Sequence, residues 1–226
     1  MEKRITIGIP INRNVSPKFT ISLQKVIHYL TMNGWATDIN YNDGTVLSNQ
    51  RNKLFKQAYK QEMNLMFIDS DMIFTDEDFE KVYKAAGDDY LTGGLCFMRR
   101  PPFQPVCFSE DRVEAEHAFI GYKIENMPFY PFKCAAVGCA FLFIPYNVMD
   151  KIYNNYDKPF NIIEMENGDT LGEDLSFFHR CNKIGIETIC VPNVNVGHLT
   201  ERIICRRDHE AIMSTLSCKG EENESE

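Results

Sequence analysis

No stretch of this 226-residue chain stays apolar for long enough to cross a bilayer. The longest run, Cys134 to Ile144, is strand-sized and interrupted by Gly138. Positive charge is also in short supply, with 24 Lys and Arg against 32 Asp and Glu and a net charge of −8. That balance excludes a protein that grips nucleic acid mainly through a broad basic surface. Close cysteine pairs are missing as well. The eight cysteines are scattered, with none of the spacings of a zinc site, which predicts reduced thiols, several in the core, of a cytoplasmic protein. Met1 to Ile5 runs straight into a strand pattern, so no secretory leader is expected. Neither an internal repeat nor a long linker divides the chain, and its length suits one α/β domain over residues 1–218. Residues 219–226, ending Glu221-Glu222-Asn223-Glu224-Ser225-Glu226, have the composition of a disordered acidic tail.

What is present is a regular alternation of strand and helix signals. Ile5, Ile7 and Ile9 alternate in a strand from Arg4 to Pro10, and Ser16-Pro17 opens a helix that Gly34 stops. A strand follows from Trp35 to Tyr41, a helix from Leu47 to about Gln61, and a strand from Asn64 to Ile68. Thr75 with Asp78 supplies a capping box for a helix from Asp76 to Ala86, before a strand from Tyr90 to Leu95. This βαβαβαβ order predicts a parallel sheet covered by helices. The second half is less regular. Cys134 to Ile144 reads as one buried strand, Pro145 to Asn155 as a helix, and Gly172 as the start of a helix ending at Gly185. Glu187 to Val191 reads as a strand and Arg202 to Leu216 as a last helix.

The most informative segment is Leu65 to Phe74, an apolar run broken by Asp69 and Asp71. In extended backbone, residues two apart point to the same side. Two carboxylates so close need a compensating cation or donor network. A divalent metal would serve, because it takes carboxylate oxygen and leaves positions for water or phosphate. The alternative is a strand-end turn with two solvated caps. Basic residues cluster at Arg99-Arg100 and at Arg202, Arg206 and Arg207, which suits a compact anion. The second group also fits a solvated helix face.

Three segments, in order, carry a family resemblance. The first is Ser48-Asn49-Gln50-Arg51-Asn52 followed by Leu65 to Asp71. The second is Thr92-Gly93-Gly94-Leu95 with Arg99-Arg100-Pro101-Pro102 behind it. The third is Gly172-Glu173-Asp174-Leu175-Ser176-Phe177, then Val191-Pro192 and Val196-Gly197-His198-Leu199. With these the chain resembles nucleotide-sugar-dependent glycosyltransferases of the GT-A fold, close to family two and its viral and phage relatives.

The resemblance implies a central, mostly parallel sheet flanked by helices, with an irregular acceptor-side half. It implies a nucleoside-diphosphate sugar as donor and Mn2+ or Mg2+ as cofactor. Asp71 would be the firmer metal ligand, Asp69 would ligate or orient the ribose, and His198 would close the coordination, tilting the choice towards Mn2+. For His198 a structural histidine is the competing reading. Asp174 would be the general base with Glu173 beside it, whereas helix capping is the plain alternative for both. His179, inside the same helix, reads as packing or surface.

The donor would lie against Pro10, Asn12 and Arg13, where relatives hold the nucleoside, although Ile11 replaces the usual Thr or Tyr. Arg51 would pair with the diphosphate or base, or else be an exposed helix charge. Gly93 and Gly94 either let backbone approach the sugar or simply end a strand. Arg99-Arg100-Pro101-Pro102 either borders the acceptor or diphosphate or forms a solvated loop. The acceptor would be a glycan, a protein or a modified nucleobase, in the host cytoplasm if the source is viral. Two other readings stand beside the transferase. One is an inactive glycan- or nucleotide-binding or virion-associated module. The other is an Asp-x-Asp phosphatase, which would carry the motif on its first strand with Thr or Val where this chain has Ile73.

Overall fold

The computed structural model describes residues 3–11, 15–111, 119–165 and 168–200. The helix expected from Arg202, the group Arg202, Arg206 and Arg207, the acidic tail, and Asn12 and Arg13 lie outside these residues.

The first half follows the sequence signals. Strand β1 (Arg4–Ile11) leads to helix α1 (Pro17–Met32), β2 (Ala36–Asp43), α2 (Leu47–Lys60) and β3 (Asn64–Ile68). Ser16 caps α1, its hydroxyl accepting from the Lys18 N–H at 3.2 Å, and Pro17 supplies a preset φ at the first position. Gly34 takes φ +72°, which turns the chain out of α1 at no steric cost. After the short β4 (Met72–Ile73), helix α3 (Asp76–Ala85) opens with the expected reciprocal box. The Asp78 N–H donates to Thr75 Oγ1 at 3.2 Å, and the Thr75 N–H donates to Asp78 Oδ2 at 3.0 Å. Strand β5 (Leu91–Gly94) follows.

The second half contains β6 (Cys107–Glu110), β7 (Ile120–Gly121), β8 (Phe132–Cys134), β9 (Ala136–Val137) and β10 (Phe141–Ile144). Then come α4 (Tyr146–Asn155), β11 (Ile163–Glu164), β12 (Thr170–Leu171), α5 (Glu173–Lys183), β13 (Thr188–Val191) and β14 (Gly197–His198).

The main sheet has the order β2-β1-β3-β10-β5-β13-β8. Strand β1 runs parallel to β2 and β3, and β5 runs parallel to β13. Strands β10 and β8 run against their neighbours. The sheet is mixed and mostly parallel. Two expectations need correction. The sheet is not parallel throughout, because antiparallel β10 lies between β3 and β5. The run Cys134 to Ile144 is not one strand but parts of three. The chain leaves the main sheet after β8, pairs β9 with β6, and returns as β10. Nearly every residue of the run is buried, so hydrophobicity alone carries no mark of where it changes sheets.

Alternation along the central strands fills two cores. Leu65, Phe67, Leu142 and Ile144 pack with Leu54 and Phe55 of α2, Val148 of α4 and Phe177 of α5. Met66, Ile68, Phe141 and Phe143 pack with Phe19 and Val26 of α1 and Phe79 of α3. Period-two alternation therefore places the side chain after Ile68, that of Asp69, on the α2 and α5 side. All six described cysteines are free and buried. No described helix is long and apolar enough to cross a membrane.

Candidate active site

The carboxyl end of β3 is where ligands gather in open α/β sheets, and it delivers Asp69. The Asp69 N–H bonds the Ala140 carbonyl at 3.1 Å, and the Met72 N–H bonds the Asp69 carbonyl at 3.0 Å, closing a turn. The extended backbone assumed from the sequence is thereby corrected: the two carboxylates diverge onto different guanidinium groups. Asp69 Oδ2 accepts from Arg51 Nη2 at 3.1 Å, and Asp71 Oδ2 from Arg99 Nη1 at 2.6 Å.

Arg51 is only 1% exposed. It occupies the inward stripe of α2 with Leu54, Phe55 and Ala58, and its guanidinium lies 5.3 Å from the centre of the Phe67 ring. Its Nε stands 3.4 Å from Asp174 Oδ1 and 3.8 Å from Glu173 Oε1. One buried cation thus faces three carboxylates from two elements. This corrects the reading of Arg51 as an exposed helix charge, since its donors face carboxylates inside the protein. A buried charge must be paired, and here the pairing joins α2, β3 and α5.

The electrostatics of the group follow from that deficit of positive charge. Burial alone would weaken the Arg51 cation, but Asp69 and then Asp174 raise its pKa above the ordinary value. Burial raises the Asp69 carboxyl, opposed by Arg51 and reinforced by the charge of Asp174. The Glu173 carboxyl is pushed up to about 7, first by burial and then by Asp174, against the pull of Arg51. Asp174 Oδ2 accepts the Cys139 N–H at 3.0 Å, while no side chain caps α5, whose cap residue is Gly172. Asp174 therefore reaches across to the chain before β10 instead of capping its own helix. Asp69 Oδ1 and Asp174 Oδ1 are buried with no hydrogen-bond partner among the described residues.

His198 arrives beside Asp71 through backbone pairing. β14 runs antiparallel to β4, with His198 opposite Met72, and the Leu199 N–H bonds the Asp71 carbonyl at 2.7 Å. Its Nδ1 lies 2.6 Å from the Phe97 carbonyl oxygen. A carbonyl can only accept, so Nδ1 carries the proton and Nε2 of the neutral ring keeps its lone pair. Metal-binding histidines are held in this way.

Among the described residues, no group of three or more His, Cys, Asp or Glu side chains is placed to hold a metal ion. The donor set present is a half-set: the Asp71 carboxylate, already engaged by a cationic group, the His198 Nε2, and the unpartnered Asp69 Oδ1. The oxygen and imidazole donors of Asp71 and His198 are of the types that a divalent ion such as Mn2+ accepts, although the described residues do not gather them into a cage.

Pro10 is buried at the end of β1, opposite Asn42, and the next carbonyl, of Ile11, accepts from Gln50 Nε2 at 3.2 Å. The end of β1 is thus tied to the residue preceding Arg51. Gly93 and Gly94 end β5, as the plainer of their two readings has it. A Cβ on Gly93 would meet Val137 Cγ2 at 2.4 Å, and one on Gly94 would meet Phe141 Cδ1 at 2.9 Å. Core side chains fill the space that these glycines leave. His179 is buried, with Nδ1 2.9 Å from Asp111 Oδ2, which fits its packing role. The sequence reading missed the Arg99 pairing with Asp71, the Cys139 N–H and the Phe97 carbonyl. The last two are backbone groups and leave no mark in residue identity.

No protein-family model and no curated sequence matches the chain. Solved structures do. A197 from STIV aligns with a TM-score of 0.56 and 16% identity over 89% of this chain and 87% of that one. GalNAc-T7 with UDP, GalNAc and Mn2+ aligns with a TM-score of 0.57 and 10% identity, over 88% of this chain but 44% of its own length. A Drosophila β-1,4-galactosyltransferase 7 variant, in complex with manganese, UDP-Gal and xylobiose, aligns with a TM-score of 0.50 and 12% identity over 92% and 78%. Together with the sheet order, these likenesses show that the chain has the GT-A glycosyltransferase fold.

Proposed function

We propose that this chain is a glycosyltransferase that moves a sugar from a nucleoside-diphosphate donor to an acceptor hydroxyl, with Mn2+ or Mg2+ as cofactor. The observation that carries this reading is the carboxylate group at the end of β3. Asp69, Glu173 and Asp174 converge on buried Arg51, with Asp71 in the turn before β4 and His198 on the adjoining β14 of a GT-A fold. The neighbours determined with UDP or UDP-Gal and manganese support the donor class and the cofactor.

In this reading Asp71 and His198 hold the cation, which when bound stabilises charge developing on the departing diphosphate. Asp69 would ligate the cation or orient the donor ribose. Pro10, Asn12 and Arg13 border the nucleoside. Asp174 is the general base. Its Oδ1 is buried against Arg51, which leaves Oδ2, already accepting from the Cys139 N–H, as the oxygen to take the proton of an acceptor hydroxyl. Arg51 and the Cys139 N–H keep that carboxylate in place before the acceptor arrives. Glu173 adjoins it as a neighbour or acceptor ligand. The acceptor is a glycan, a protein or a modified nucleobase.

The test is a nucleotide-sugar turnover assay with and without Mn2+. Release of nucleoside diphosphate that requires the ion is the expected result. Phosphate release from simple monoesters would make the protein a phosphatase, and metal-independent glycan binding without turnover would make it a binding module.

A further inference from the structure

We propose that Arg99 is an exchangeable cation: it holds Asp71 before a divalent ion is bound, then releases it and takes the donor diphosphate. This rests on the glycosyltransferase reading of the site.

Arg99 lies on a hairpin from Cys96 to Val106. The Val106 N–H bonds the Cys96 carbonyl at 2.8 Å, and the Met98 N–H bonds the Gln104 carbonyl at 2.9 Å. At the tip, the Phe103 N–H bonds the Arg100 carbonyl at 2.9 Å. The hairpin touches both candidate cation ligands within three residues: the Phe97 carbonyl holds His198, and Arg99 Nη1 sits on Asp71 Oδ2. The same element therefore sets the histidine tautomer and covers the carboxylate.

The two arginines of the site differ in what they can do. Arg51 is sealed in the core among three carboxylates and cannot leave without stranding them. The Arg99 side chain is 58% exposed and its partner Asp71 33%, so that pair is screened by water and separates at little cost. A divalent ion on Asp71 repels a guanidinium at contact distance. A diphosphate brought in with the ion offers that guanidinium a new partner of matching fork geometry. Exchange keeps the charge near Asp71 balanced in both states. It also couples the ligands: the ion alone must displace Arg99, whereas ion and diphosphate together give Arg99 somewhere to go, and such coupling is reciprocal.

The test uses MnCl2 alone, followed by the resonance of free aqueous Mn2+, and inorganic pyrophosphate with and without saturating MnCl2, followed by titration calorimetry. Arg99→Gln should bind Mn2+ more tightly than wild type, by on the order of five-fold, the worth of an exposed ion pair. With saturating Mn2+ present, the same variant should bind pyrophosphate several-fold more weakly. Arg100→Gln removes the same charge one residue away and should leave Mn2+ affinity near wild type, which separates displacement of a partner from a general change of field. Equal or weaker Mn2+ binding by Arg99→Gln, or an equal gain in Arg100→Gln, overturns the exchange while the glycosyltransferase reading stands. A wild-type protein that binds neither probe overturns both.

Discussion

Arg51 Nη2 meets Asp69 Oδ2 at 3.1 Å beneath the protein surface, so the second helix and the third strand share one buried ion pair. The same guanidinium faces Asp174 and Glu173, and removing it leaves three carboxylates without a counter-charge. Arg51→Met fills the volume but not the charge. It should destabilise the protein by about 3–5 kcal/mol near neutral pH, the usual cost of breaking a buried pair. The loss should shrink towards pH 5 as Glu173, whose carboxyl is pushed up to about 7, takes up its proton. Thermal unfolding of both proteins across that range checks it, and a loss independent of pH counts against the charge argument.

Glu173 gives a second dependence on pH, with a defined sign. Its carboxyl holds a proton up to about pH 7 when folded, against an ordinary value of 4.5. Between those values the folded state binds more protons than the unfolded one, so stability falls as pH rises through the window. Glu173→Gln removes this titration. The variant should match wild type near pH 4 and exceed it in melting temperature near pH 8. A constant offset between the two curves would show that Glu173 does not titrate in this range.

Asp71 and His198 are tested by ligand binding. Asp71→Asn should fold normally yet lose most Mn2+-linked nucleotide affinity, and Asp69→Asn should lose less. His198→Ala should lower metal affinity and shift the preference towards Mg2+. A His198 variant that melts earlier but binds Mn2+ and nucleotide as before would make the ring a purely structural clamp on Phe97.

Asp174 separates chemistry from donor binding. A general base acts on the acceptor in the transition state, so Asp174→Asn should keep nucleotide and metal affinity while slowing transfer by about 10²–10⁴-fold. Asn can still accept the Cys139 N–H, which protects the fold. Normal turnover by this variant would remove Asp174 from the mechanism.

Gly93 tests the assignment of that glycine to the core. Gly93→Ala should destabilise by about 1–3 kcal/mol, as overpacking does, because its Cβ would lie 2.4 Å from Val137 Cγ2. Adding Val137→Ala should recover part of the loss. Gly121→Ala, with nothing within 4 Å of its Cβ, should be neutral. Unchanged stability in Gly93→Ala would reopen the question of what the glycine is for.

Much of the first half was legible because its signals are local. Ser16-Pro17, the Thr75 and Asp78 box, and the alternating isoleucines of β1 each act within a few residues. The position of Arg51 was legible too, in its spacing of three, four and seven residues from Leu54, Phe55 and Ala58, but its charge argued for the surface. What the sequence left hidden depends on distant partners. The divergence of Asp69 and Asp71 needs Arg51 and Arg99, and the splitting of the run before Ile144 needs β6 to compete for its backbone.

The place of β10 bears on how the protein is made. It stands between β3 and β5, although the chain forms it after both. Until synthesis has passed Ile144, β3 and β5 lack the neighbour that joins them, and each shows an open, apolar edge. Its pairings with both strands are long in sequence, so closing the sheet is expected to be slow compared with forming the helices around it. A nascent chain stalled before β10 therefore exposes the strand that leads to Asp69, and the site is completed only later, once α5 and β14 have brought Glu173, Asp174 and His198.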